Sequence, residues 1–161
     1  MKRLALLTLL LLGLGLTVAA QPRSFGLRAG SVMEVSYQHC FGTPHFAEVD
    51  LGMDMVGDHG LRATATYNWI FAEPAWGYRG EWAWYAGPGV SLGYVYEVHG
   101  PEKAEVMMAF VGQVGCEFTP WNHLTLSADL RPMIGFHFGT GKFYRGGLVG
   151  LVPSLGVRYK F

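Results

Sequence analysis

The sequence predicts an all-β fold: an eight-stranded antiparallel up-and-down transmembrane β-barrel, preceded by a cleavable signal peptide. Three observations carry that expectation. From Gly147 to the end, one register reads Gly147, Val149, Leu151, Pro153, Leu155, Val157, Tyr159, Phe161 and the other reads Leu148, Gly150, Val152, Ser154, Gly156, Arg158, Lys160. Strand side chains alternate faces with period two, so one face is apolar throughout while the other is small and then basic. The same alternation recurs along the chain between breaks rich in Gly, Pro and Asn. Charged residues make up only 15% of the chain, against about 25% in typical soluble domains, which suits a protein whose outside faces lipid.

Residues 1–20 read as the signal peptide. Lys2 and Arg3 precede an apolar stretch from Leu4 to Val18, and Val18-Ala19-Ala20 forms a small-residue cleavage site. The apolar run is about 15 residues, short of the ~20 that a spanning helix needs. Export with cleavage near Ala20/Gln21 then leaves one domain, residues 21–161. Twelve Lys+Arg balance twelve Asp+Glu, and losing Lys2 and Arg3 leaves ten against twelve, a net charge near −2. With no basic patch, no nucleic-acid partner is expected. Cys40 shares the polar register of Glu34, Ser36 and Gln38, whereas Cys116 shares the apolar register of Phe110 and Val114. Opposite parity predicts two free thiols.

The strands follow in order. Phe25, Leu27 and Ala29 oppose Ser24, Gly26 and Arg28, and a tight turn near Gly30-Ser31 leads to Met33, Val35 and Tyr37 against Glu34, Ser36 and Gln38. After the Phe41-Gly42-Thr43-Pro44 turn, Ala47, Val49, Leu51 and Met53 oppose Glu48, Asp50, Gly52 and Asp54. A fourth strand, Leu61 to Phe71, is followed by the connector Glu73 to Tyr78. Strand five, Glu81 to Glu97, sets Trp82, Trp84, Ala86, Pro88, Val90, Leu92, Tyr94 and Tyr96 against Tyr85 and a run of Gly and Ser. Strand six places Val106, Met108, Phe110, Gly112, Val114 and Phe118 on the apolar face, and Thr119-Pro120-Trp121-Asn122 reads as a turn. Strand seven opposes Leu124, Leu126, Ala128 and Leu130 to Thr125, Ser127, Asp129 and Arg131, and Gly139 to Lys142 leads into the terminal strand.

Eight strands of about 9–11 residues suit the smallest outer-membrane barrels. With both ends of the domain periplasmic, the turns near 41–44, 72–80 and 119–122 lie inside and the loops near 30–32, 55–60, 98–104 and 139–145 face outward. Phe41, Phe46, Phe71, Trp76, Tyr78, Trp82, Phe118, Trp121, Tyr159 and Phe161 fall near the inner ends. Tyr94, Tyr96, Phe136, Phe138, Phe143 and Tyr144 fall near the outer ends. Two aromatic belts around an aliphatic band is the interfacial pattern. Pro88, Pro132 and Pro153 each remove a ladder donor, so bulges or strand ends are expected there.

The polar register collects an interior ion network of Arg28, Glu34, Glu48, Asp50, Arg62, Glu117, Asp129, Arg131, Arg158 and Lys160, five cations with five anions. An eight-stranded barrel is only wide enough for side chains to fill it, so balanced charges should pair rather than line a pore. No catalytic, cofactor or metal site is expected. His123, Ser127 and Asp129 share a strand face, but His123 and Ser127 would stand about 13 Å apart along it at ~3.3 Å per residue, too far for a nucleophile and its base. His39, His45, His59, His99, His123 and His137 show no metal-ligand spacing.

The segments Trp84-Tyr85-Ala86-Gly87-Pro88-Gly89, Leu124 to Pro132 and Gly156-Val157-Arg158-Tyr159-Lys160-Phe161 resemble small eight-stranded outer-membrane proteins of the OmpX/OmpA barrel type. The resemblance implies a bacterial outer-membrane location, outer-membrane lipid as a partner, and a monomer. It also implies recognition by the barrel assembly machinery through the C-terminal strand, with Tyr159 and Phe161 as the signal. The expected role is structural or envelope-maintaining. One alternative is a conduit or binder for small apolar solutes, for which Gly-rich strand five is the hint. Another is a lipid-modifying enzyme using His123 or His137 as base.

Overall fold

The computed structural model describes residues 23–30, 32–42, 44–54, 59–76, 80–96, 105–138, 143–146 and 154–161. The expected signal peptide, Pro153 and most of the expected outer loops lie outside these. The strands are β1 (Arg23–Ala29), β2 (Val32–Cys40), β3 (His45–Asp54), β4 (His59–Ala72), β5 (Glu81–Tyr96), β6 (Glu105–Trp121), β7 (Leu124–Leu130), β8 (Met133–Phe138), β9 (Phe143–Gly146) and β10 (Ser154–Lys160).

These ten segments make eight barrel strands. Successive strands pair antiparallel from β1 to β6. β7 and β8 together form the seventh, both paired with β6. β9 on β8 and β10 on β7 form the eighth, and β10 closes the barrel against β1. Following paired residues from Arg28 through β2, β3, β4 and β5 reaches Met107 on β6; going the other way, through β10 and β7, reaches Glu117 on the same strand. That ten-residue offset is the barrel's shear, the stagger that accompanies tilted strands in a closed sheet. At one end the chain's described termini bond to each other, Arg23 N donating to Phe161 O at 3.2 Å and Phe161 N to Arg23 O at 2.8 Å. This terminal end also carries the β2–β3 turn, where Gly42 sits at φ 98°, a conformation that glycine adopts without steric cost.

Side-chain polarity is inverted relative to a soluble domain. Outward positions are large and apolar, as with Leu27 at 62% exposure, Leu51 at 60% and Phe110 at 74%, whereas inward Glu48, Asp50 and Arg158 are at 0%. Cys40 faces in and Cys116 faces out, and both are free.

Several expectations need correction. Phe46 is not part of the aromatic belt: it is fully buried inside the barrel, edge-on to Tyr85 with ring centroids 5.1 Å apart. Its parity matches Glu48 and Asp50, and strand parity decides its face over its aromatic character. Pro88 sits within β5 opposite Gly112, and the ladder to β4 keeps one register on either side of it. Pro132 does break the seventh strand, yet Val114 opposite Leu130 and Val111 opposite Met133 show that no residue is gained or lost across it. The register shifts fall instead at Ile70/Ala72 and at Phe118/Trp121, the latter spanning Pro120. β6 therefore runs through Trp121, and the turn is Asn122–His123. His59–Gly60 belongs to β4 and Phe143–Gly146 to β9, not to loops. Residues 147–153 of the expected terminal strand lie outside the described residues; Met133 lies four positions beyond Asp129, while their partners Gly146 and Ser154 lie eight positions apart.

Candidate functional site

The barrel's midsection is built around one carboxylate. Glu48, inward on β3 and fully buried, presents Oε1 to three guanidinium groups from three strands. Arg28 Nη1 of β1 lies at 2.6 Å, Arg158 Nη2 of β10 at 2.5 Å, and Arg131 Nη2, in the break between β7 and β8, at 2.9 Å. Ser36 Oγ donates to the same oxygen at 3.1 Å, and Gln113 Nε2 reaches Oε2 at 3.4 Å. Each charge-assisted bond gains strength from the low-dielectric surroundings, and each also makes an unpaired member costly.

The other carboxylates complete the layer. Arg28 Nη2 bonds Asp129, and its Nη1 lies 3.4 Å from Asp50 Oδ2. Arg131 bridges Asp50 Oδ2 at 2.5 Å and Glu34 Oε2 at 3.2 Å. Arg62 Nη2 lies 3.7 Å from Glu34 Oε1. Arg158 Nη1 bonds Glu117 Oε1 at 3.1 Å. Gly156 leaves room beside these groups, since a Cβ there would collide with Ser127 Oγ and sit 3.2 Å from Arg28 Cγ.

Nine of the ten inward charges named from the sequence thus meet in one connected set; Lys160 does not. It forms no ion pair among the described residues and instead lines a cavity at the terminal end. Hydroxyls that sequence reading did not assign complete the network. Ser154 Oγ donates to Asp129 at 2.9 Å, Tyr85 Oη donates to Asp129 at 3.3 Å, and Arg158 Nε donates to Ser36 Oγ at 3.1 Å. Their signal was parity with the inward register, overlooked because Ser and Tyr are uncharged.

Along the axis the interior changes character. On the far side of the ion layer, Ala109, Val111 and Met133 form a buried apolar cluster. On the terminal side a second polar chain runs from Thr66 and Asn68 to Gln113, and another from Ser24 through Gln38 to Glu117. Beyond Phe46 a cavity of about 550 Å³ opens at the terminal mouth.

His123 and Ser127 do not come together. His123 lies exposed in the turn, stacked on Tyr159 with Nδ1 3.2 Å from Lys160 O. Ser127 points inward and accepts from Arg158 Nη1 at 3.1 Å. The His137 side chain lies outside the described residues. Among the described residues no cluster of His, Cys, Asp and Glu is placed to hold a metal ion. Tyr159 and Phe161 both face outward, at 58% and 63% exposure.

A closed antiparallel barrel of eight strands, apolar outside and ionic within, is the class that the fold defines. The sequence matches no protein-family model and no curated protein. Among solved structures, the fold is similar to the N-terminal β-barrel domain of Pseudomonas aeruginosa OprF, with a TM-score of 0.65 at 12% identity over 88% of this chain and 96% of that one. Weaker likenesses are to Neisserial surface protein A, with a TM-score of 0.44 at 9% identity over 87% and 91%, and to Ail of Yersinia pestis, 0.42 at 12% over 88% and 97%. The OprF likeness is one of fold.

Proposed function

We propose that this chain is an integral protein of the bacterial outer membrane, exported through residues 1–20 and inserted as a monomer. Its role in this reading is to maintain the envelope structurally, not to catalyse or conduct. The observation that carries the reading is the inverted polarity: an apolar outer face on a closed sheet, with nine charged side chains turned inward and joined in one set around Glu48. In hydrocarbon only a helix or a closed barrel satisfies its backbone internally. The apolar belt then matches lipid, and the ion layer would otherwise have to sit in water. Tyr159 and Phe161, outward at the end of the closing strand, fit a C-terminal signal read by the barrel assembly machinery. A conduit for apolar solutes is disfavoured because the Glu48 layer fills the midsection from four sides.

The test is production with the native leader, separation of inner and outer membranes, and gel mobility of the outer fraction with and without boiling. Faster migration of the unboiled protein, with Gln21 as the new N-terminus, is the expected result. A soluble product of unchanged mobility would sink the reading.

A further inference from the structure

The cavity at the terminal mouth has walls of opposite charge. Lys160, on β10, joins no ion pair among the described residues and lines this cavity; Arg23, on neighbouring β1, lines the same wall, and Glu117, already paired with Arg158, lines it as well. Glu73 follows β4, which stands four strands round from β10 and so directly across an eight-stranded barrel. Glu81 opens β5, three strands round in the other direction. Neither glutamate has an ion-pair partner among the described residues. Between the two walls, Phe46 and Ile70 supply an apolar inner surface.

Lys160, Glu73 and Glu81, none with an ion-pair partner among the described residues, stand apart from the connected ion set around Glu48 and line one cavity over an apolar floor. Along the wall, Lys160 and Glu81 stand about 14 Å apart at ~4.8 Å per strand, too far to pair directly. A ligand carrying an ammonium at one end and an acidic group at the other would satisfy both walls at once. We infer that the terminal mouth is a binding site for a short zwitterionic peptide with an apolar side chain. Its carboxylate meets Lys160, its ammonium meets Glu73 and Glu81, and its side chain lies against Phe46 and Ile70. The cavity volume suits two or three residues, which places the site among small-molecule pockets in size. Phe46 and the ion layer above it close the route upward, so the site binds without conducting.

Cys40 lines the same cavity and reports on its occupancy. The experiment uses the full-length folded barrel carrying Cys116→Ser, and follows the rate at which an uncharged maleimide labels Cys40. The probe is the tripeptide Ala-Phe-Ala with free termini, compared with its N-acetylated and its C-amidated forms. The free peptide is expected to slow labelling, and either blocked form to bind about three- to fivefold more weakly, as loss of one partly solvated ion pair implies. Lys160→Gln should erase the effect of amidation but not of acetylation; the pair Glu73→Gln and Glu81→Gln should do the reverse. Glycerophosphoethanolamine, a zwitterion with no apolar body, should protect poorly. No protection at millimolar peptide, protection indifferent to blocking, or equal protection by the lipid headgroup would each overturn the assignment. Retained heat-shifted mobility of every variant keeps failure of this site separate from failure of the barrel itself. Should a variant not fold, the blocking series on the unaltered mouth still decides.

Discussion

Glu48 and Arg158 lie 110 residues apart in sequence and meet 2.5 Å apart inside the barrel, both with fully buried side chains. They come from β3 and β10, which are not neighbours in the sheet, so the contact crosses the interior. Removing the carboxylate takes a shared partner from three guanidinium groups at once. Glu48→Ala is expected to lower the unfolding free energy by about 3–5 kcal/mol, the usual cost of breaking a buried pair from one side. Urea titration of the detergent-folded barrel, read by the heat-shifted band, measures it. A loss under about 1 kcal/mol would mean that the layer contributes little.

The filled midsection makes a second expectation about permeability. Liposomes containing the unaltered protein should retain small sugars and ions. Glu48→Ala combined with Arg158→Ala removes two side chains from the constriction together and should produce a measurable leak. A leak of equal size from the unaltered protein would show the ion layer to be water-filled.

Phe46 separates that layer from the terminal cavity, and its ring is held edge-on by Tyr85. Phe46→Ala should cost about 3–5 kcal/mol, as for other buried Phe truncations. The same change should leave labelling of Cys116 unaltered. Stability within about 1 kcal/mol of the parent would place the ring in a looser setting than its burial indicates.

The two thiols should answer differently to reagents. In the membrane-inserted protein, a small water-soluble maleimide should label Cys40 through the terminal mouth and leave Cys116, on the outward face, unmodified until denaturation. Mobility with and without reductant should be identical, since opposite faces preclude a bond between them. Equal labelling of both would contradict the assigned faces.

Pro132 offers a test in the stabilising direction. Gly112 N donates to Pro132 O at 3.0 Å, but Pro132 has no N–H to return to Gly112. Because the register is continuous across this break, Pro132→Val should restore the missing bond without shifting a residue. A gain of about 0.5–1.5 kcal/mol in urea unfolding is expected. A loss would show that the proline fixes a local bend.

How much of this was legible beforehand divides along a physical line. Which face each residue takes is a local property of strand parity, so Arg28, Glu48 and Arg158 could be placed inside from the alternation alone. For Phe46, residue type points to the belt and parity to the interior, and parity decides. Which charges meet is non-local: it depends on the ten-residue stagger, and no short window of sequence contains it. The same limit kept Lys160 in the expected network, because parity gives a face but not a height along the axis. Pro132 lies at a strand end, as its missing donor implies, whereas Pro88 sits within β5 without a break. Pro88 and Pro132 leave the register intact, while the shifts occur at Ile70/Ala72 and beside Pro120.

The seam between the first and last strands selects a register. β1 and β10 close the barrel by pairing with each other, and they bring Arg28 and Arg158 to the same oxygen of Glu48. A slip of two residues along that seam would preserve every inside and outside face, so hydrophobic patterning cannot reject it. It would nonetheless carry Arg158 roughly 7 Å along the strand at ~3.3 Å per residue, away from its carboxylate. The buried charges therefore discriminate between closures that patterning alone treats as equal: the observed stagger pairs Arg158 with Glu48 and Glu117, and a slipped seam would carry the cost of a buried ion without its partners.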